Sequence, residues 1–198
     1  MKTPYPGYDV LGKWDGPSYD DRTREVVARR LHDIPKRRFF SEDEWRRLDA
    51  ISARLIPQPD RAEPVPITPW IDEQLALGLG EGFRHEDMPP LRETWRKGLA
   101  AIEGEARRLH GRGFAELAPE AQDATLCAVQ EGEVDEELWA GLPAQRFFSD
   151  VLLKTVAGLY YTHPAAWNEI GYGGPASPRG YVRLGFDQRD PWEAKEAQ

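Results

Sequence analysis

The sequence predicts an all-α single domain of about five helices, set between an irregular N-terminal arm and a Pro/Gly-rich C-terminal loop and tail. Three observations carry this. Apolar residues recur at spacings of three and four through the middle of the chain, no stretch alternates as a strand does, and Pro and Gly fall between the periodic segments. The expected boundaries are 1–21 for an extended arm, 22–161 for the helical body and 162–198 for the irregular C-terminal segment. At 198 residues the chain is long enough to bury roughly 70% of its unfolded surface.

Residues 1–21 set Tyr5, Tyr8, Trp14 and Tyr19 among Pro and Gly, with no helical or strand period. A disordered arm is the plain reading of such a segment, and the rings favour an arm lying on its own body or on another protein. No apolar run follows Lys2, so the segment does not read as a signal peptide. Residues 22–38 then carry seven Lys/Arg against two acids, a net charge of +5. Arg37-Arg38-Phe39-Phe40 looks like the core of a twin-arginine signal, but Ser-Glu-Asp-Glu follows where an apolar run is required. These readings favour a cytoplasmic chain; a periplasmic chain, mature or exported with a partner, is the alternative.

The first expected helix starts at Ser41, where Glu44 completes a capping box and Phe40 can staple against Trp45. Trp45, Leu48, Ile51 and Leu55 form its apolar face, and Pro57 and Pro59 end it. An extended Pro-rich connector spans 56–68. Thr68, followed by Pro69 at the first helical position, opens a second helix to about Leu77. The third starts near Pro90 and carries Leu91, Trp95, Leu99, Ile102, Ala106 and Leu109 before stopping at Gly111; Gly98 and Gly104 inside it suit a close helix neighbour. The fourth runs from Pro119 to about Gln130, with Ala121, Leu126 and Val129 apolar and Cys127 expected to be a buried structural thiol. The fifth runs from Pro143 to about Tyr161 and is apolar on more than one face, as a central or shared helix would be.

Charge and composition exclude several function classes. The 26 Lys/Arg against 34 Asp/Glu give a net charge of −8 and a pI near 5.1, which argues against nucleic acid or an anionic membrane. No apolar stretch reaches the roughly 18 residues of a membrane span. One cysteine rules out an intrachain disulfide or a multi-cysteine metal site. Residues 115–150 hold nine acids and one Arg, but without the alternating ligands of a calcium loop they read as solvated surface or a complement to a partner. No Gly-rich phosphate loop, nucleophile elbow or haem-attachment motif is present. Met88 with His85 or His110 is formally available to haem, a reading we do not favour. No residue of this chain is assigned as catalytic, cofactor-binding or metal-ligating.

The densest cluster of polar and aromatic residues is 160–181. Pro164, Pro175 and Pro178 fix φ there, and Gly171, Gly173, Gly174 and Gly180 permit φ above zero. His163, Asn168 and Glu169 are placed to hold a turn or one another; a single imidazole and a single carboxylate are too few for a metal. Tyr160, Tyr161, Trp167 and Tyr172, with Tyr5, Tyr8 and Trp14 of the arm, are candidates for a partner interface or for structuring the loop.

Phe39-Phe40 and Trp45, LDAISARLIPQPD at 48–60, GFAELAPEAQDATL at 113–126 and RFFSDVLLKTVAGLYYTHPAAWNEIGYGGPA at 146–176 together resemble the gluconate 2-dehydrogenase subunit 3 family. The resemblance implies a non-catalytic small subunit that stabilises and assembles with a large FAD-containing subunit of the glucose-methanol-choline type. It also implies a cytochrome c subunit as a possible third member. FAD would lie in the large subunit and haem in the third, neither in this chain. Two alternatives remain: a self-sufficient enzyme with a site around His163, Asn168 and Glu169, and a standalone scaffold or binding protein.

Overall fold

Ser41 and Glu44 cap each other's backbone as a capping box requires, at 3.2 and 2.8 Å, and begin a helix that ends at Leu55. The computed structural model describes residues 4–16, 19–59, 61–80, 82, 85–175 and 193–196. These are 62% helical with no strand, but they form eight helices rather than about five. The helices are α1 (Asp21–His32), α2 (Glu42–Leu55), α3 (Ile67–Ala76), α4 (Leu91–His110), α5 (Pro119–Glu131), α6 (Glu136–Trp139), α7 and α8 (Pro164–Ile170). Helix α7 is continuous through Ala144–Arg146, a π-helical stretch Phe147–Leu153, and Lys154–Tyr161. Two 3-10 turns lie at Val10–Lys13 and Phe114–Glu116.

The additional helices have local causes. Asp20 accepts from the Thr23 amide at 2.8 Å and starts α1 inside the basic run, Asp135 caps the four-residue α6, and His163 with Pro164 at the first helical position starts α8. The segments expected to be irregular therefore contain a 3-10 turn at Val10–Lys13 and a helix at Pro164–Ile170.

The chain divides into two compact units, Pro35–Leu159 and Met1–Ile34 with Tyr160–Gln198. In the first, α4 is central and touches α2, α5 and α6. Its face of Trp95, Leu99, Ile102 and Ala106 is fully buried. Leu91 and Leu109, expected on the same face, are instead 37% and 43% exposed, because they lie at the helix's two ends, beyond the packed turns. Gly98 explains how α7 reaches α4: a Cβ there would lie 2.2 Å from the Phe147 ring. Rings pack edge to face from Phe39 to Phe40, Phe40 to Trp95 and Trp95 to Phe147, with centroids 4.9, 6.3 and 6.0 Å apart. Each such pair adds about 1 kcal/mol beyond area burial.

Three carboxylates finish this unit by taking backbone donors that the helices leave over. Asp72 is buried completely and accepts from the amides of Arg38, Phe39 and Phe40 at 2.6, 3.0 and 2.8 Å. Glu105, also fully buried, accepts from the Asp135 amide at 2.7 Å, from Trp139 Nε1 at 3.2 Å and from Arg108. Glu103 accepts from the Phe114 amide and pairs with Arg47, each at 3.0 Å. Burial raises the Glu103 carboxyl, but the amide, Arg47 and Arg107 outweigh it and hold the group below the usual range.

Two further expectations are corrected. Thr68 does not cap α3: the helix begins at Ile67, two residues before the expected Pro69, and the buried Thr68 hydroxyl has no hydrogen-bond partner among the described residues. Cys127 is exposed rather than buried, because α5 buries Gln122, Thr125, Leu126 and Val129 and Cys127 falls off that face.

Candidate functional site

The residues singled out from the sequence meet in the unit formed by Met1–Ile34 and Tyr160–Gln198. Its small core is Val10, Val27 and Trp167, with Tyr8, Leu11, Trp14 and Leu31 packed around them. The Val10 turn is tied to α8 by its amide, which donates to Asn168 Oδ1 at 2.8 Å. Tyr8 donates its hydroxyl proton to the Tyr172 carbonyl at 3.1 Å, and Lys13 reaches the Gly173 carbonyl. Glycine is required at two places in this joint. Gly171 has φ 64° and ends α8, with the Tyr5 ring 2.7 Å from where a Cβ would be; Gly174 has φ 76° and lies under Tyr19 and Val10.

His163 is 8% exposed, and its Nδ1 accepts from the Ala165 amide at 3.2 Å. That bond leaves Nδ1 without a proton and places the proton of the neutral ring on Nε2. Glu169 accepts from the Tyr160 hydroxyl at 2.7 Å, and Trp167 Nε1 donates to the Tyr161 carbonyl at 2.9 Å. Each of these polar groups thus fixes backbone or a ring of its own unit. Tyr160 and Trp167 are buried, whereas Tyr161 and Tyr172 are 44% and 36% exposed, next to Ile170 at 47%. Tyr172 packs edge-on against Trp167 with centroids 5.4 Å apart.

Burial pushes the Tyr19 phenol up to about 12, with smaller contributions from Tyr8, Tyr172 and Asp9. Its hydroxyl has no hydrogen-bond partner among the described residues. Burial likewise raises Tyr8, helped by Glu193 and Asp9. Neither change brings a phenol toward neutral pH, so neither residue is prepared as an acid or base.

A separate groove of about 730 Å³ lies in the Pro35–Leu159 unit, between Trp139, Leu142, Pro143, Arg146, Asp87 and Asp150. Its walls come mostly from the continuous stretch 132–150, with Asp87 closing it from elsewhere in the chain, and no spacing of chemistry-bearing residues marked that stretch. The Arg146 guanidinium pairs with Asp87 and lies 4.0 Å from Asp150, and His85 Nε2 lies 3.5 Å from the same Asp150. The cation is neutralised by its own walls, so the groove offers no cradle for an anion. Among the described residues no group of three or more His, Cys, Asp or Glu is placed to hold a metal ion, and no helix is long and apolar enough to cross a membrane.

Residues 42–174, roughly two thirds of the chain, match the family model described as Gluconate 2-dehydrogenase subunit 3. The match begins at α2 and runs through α8, leaving α1 and the Val10 turn outside it. No curated protein and no solved structure matches the chain.

Proposed function

Because the chain belongs to the gluconate 2-dehydrogenase subunit 3 family, we propose that it is the small accessory subunit of a sugar-oxidising complex. It stabilises and assembles with a large FAD-dependent subunit of the glucose-methanol-choline type that oxidises a sugar, glycoside or sugar-acid hydroxyl. A cytochrome c subunit is a possible third member. The redox chemistry, hydride transfer from an alcohol carbon to FAD, belongs to the large subunit. The single observation that carries this reading is the family match over 42–174. It is supported by the use of His163, Asn168 and Glu169, the residues around which a site of this chain's own would lie, as a helix cap and as acceptors for the Val10 amide and the Tyr160 hydroxyl.

The test is coexpression with a large FAD-dependent subunit of the glucose-methanol-choline type, followed by native copurification. A complex absorbing at about 450 nm is expected, with His163→Ala and Glu169→Ala lowering its yield while turnover per bound flavin stays within about tenfold. Removal of a true general acid or base costs on the order of 100-fold or more. A loss of that size in a fully assembled, flavin-replete complex would move part of the active site onto this chain.

A further inference from the structure

The chain carries a net charge of −8, and several of its cations are neutralised at home: Arg22, Arg46, Arg54, Arg108 and Arg146 each pair with a carboxylate. One cluster departs from this. Among the described residues, Arg37, Arg38, Arg92 and Arg96 are all exposed and none forms an ion pair. Arg92 and Arg96, one turn apart on α4, both stack on the ring of Phe39, with guanidinium carbons 4.9 and 4.7 Å from its centroid. Like charges at this spacing repel by a few tenths of a kcal/mol, so the shared ring offsets a cost.

Two of the four are also anchored to the backbone. Arg96 donates to the Phe39 carbonyl at 3.1 Å and Arg37 to the Phe40 carbonyl at 3.2 Å. The backbone they grip is clamped from below by the buried Asp72 carboxylate. Stacking occupies the face of a guanidinium and leaves its in-plane N–H edge for a carboxylate. Of the acids on the adjoining helices, Glu93 is engaged by Lys97 at 2.8 Å and Glu44 in the α2 capping box.

We propose that this guanidinium face on Phe39 is a docking surface for a carboxylate-bearing protein surface, that of the flavoprotein subunit. The proposal rests on the accessory-subunit reading. Rigid, unpaired arginines lose little freedom on docking and make charge-assisted bonds with an acidic surface. The overall negative charge sets the protein against polyanions such as nucleic acid or anionic membrane and leaves a local acidic protein face as the fitting occupant.

The experiment compares the wild-type chain, R92E/R96E and the control R46E/R112E, which changes the net charge equally, for affinity to the copurified flavoprotein at two salt concentrations. Expected are a loss of about 30-fold or more for R92E/R96E with most of the salt dependence gone, and a control within about threefold of wild type. Circular dichroism should be unchanged, since both side chains are exposed; should the reversal not fold, R92Q/R96Q carries the test, with a loss of about tenfold. Binding equal to the control overturns the docking surface while the accessory-subunit reading stands. A wild-type chain that captures no flavoprotein overturns both. If light scattering shows the wild type self-associating and R92E/R96E monomeric, the occupant is a second copy and the proposal fails.

Discussion

In the Pro35–Leu159 unit the interior is made of large side chains with no solvent contact, Trp95, Phe147, Leu99 and Ile102 among them. The unit of Met1–Ile34 and Tyr160–Gln198 is built, among the described residues, around the smaller cluster of Val10, Val27 and Trp167 and joins its two segments by hydrogen bonds between particular partners, Val10 to Asn168 and Tyr8 to Tyr172. A dense interior fails when something is added to it. A small one with directed bonds fails when a partner is taken away, so the two units should answer differently to the same size of mutation.

The largest expected effect is in the first unit. Gly98→Ala adds a methyl 2.2 Å from the buried Phe147 ring and should cost about 2 kcal/mol in urea unfolding, despite the better helix propensity of alanine. Gly158→Ala, in the same unit and also on a helix, meets nothing within 4 Å and should stabilise by about 0.5–1 kcal/mol. Equal effects at the two sites would show that propensity, not packing, governs this unit.

In the other unit, Asn168→Ala removes the acceptor of the Val10 amide. The expected cost is about 1 kcal/mol. Hydrogen exchange should show the Val10 amide opening several-fold faster while the amides of α4 keep their protection. A uniform loss of protection across both units would mean that the two unfold as one, and the contrast would be withdrawn.

The effect that is smallest at neutral pH is visible only in alkali. Unfolded Tyr19 ionises near its ordinary value of 10.0, whereas the folded phenol is pushed up to about 12 by burial. Between these values the unfolded chain gives up a proton that the folded chain retains, so stability should fall as pH rises above 10. Tyr19→Phe should be nearly neutral at pH 7, because the hydroxyl has no partner among the described residues, and should remove that slope. A slope that survives the substitution assigns the alkaline loss to another group.

The same division decides what could be read from residues alone. Helix α4 was legible because Trp95, Leu99, Ile102 and Ala106 follow one another at three and four, and all are buried. Gly98 already announced a close neighbour, though not that it would be Phe147. Helix α5 was legible in extent but not in face, since two of its buried positions are the polar Gln122 and Thr125, which put Cys127 on the wrong side. Helix α1 buries only Thr23 and Val27, too little pattern to emerge from the basic run around it. The joint between Val10 and α8 was illegible for a different reason: its bonds link residues that no window of sequence contains together. The π-helical stretch in α7 left no signal either, although it buries Phe147, Phe148, Val151 and Leu152 together, the breadth that had suggested a central helix.

The bond from Val10 to Asn168 spans 158 positions of sequence. At a synthesis rate of about 5–20 residues per second, the segment bearing Tyr8, Val10 and Trp14 leaves the ribosome roughly 10–30 s before its acceptor exists. Through that interval Pro35–Leu159 can emerge and fold, while the earlier rings wait in water without their counterpart. The newborn chain is thus most vulnerable at its first aromatic residues, and a holding chaperone that shields apolar rings would find its clearest target there.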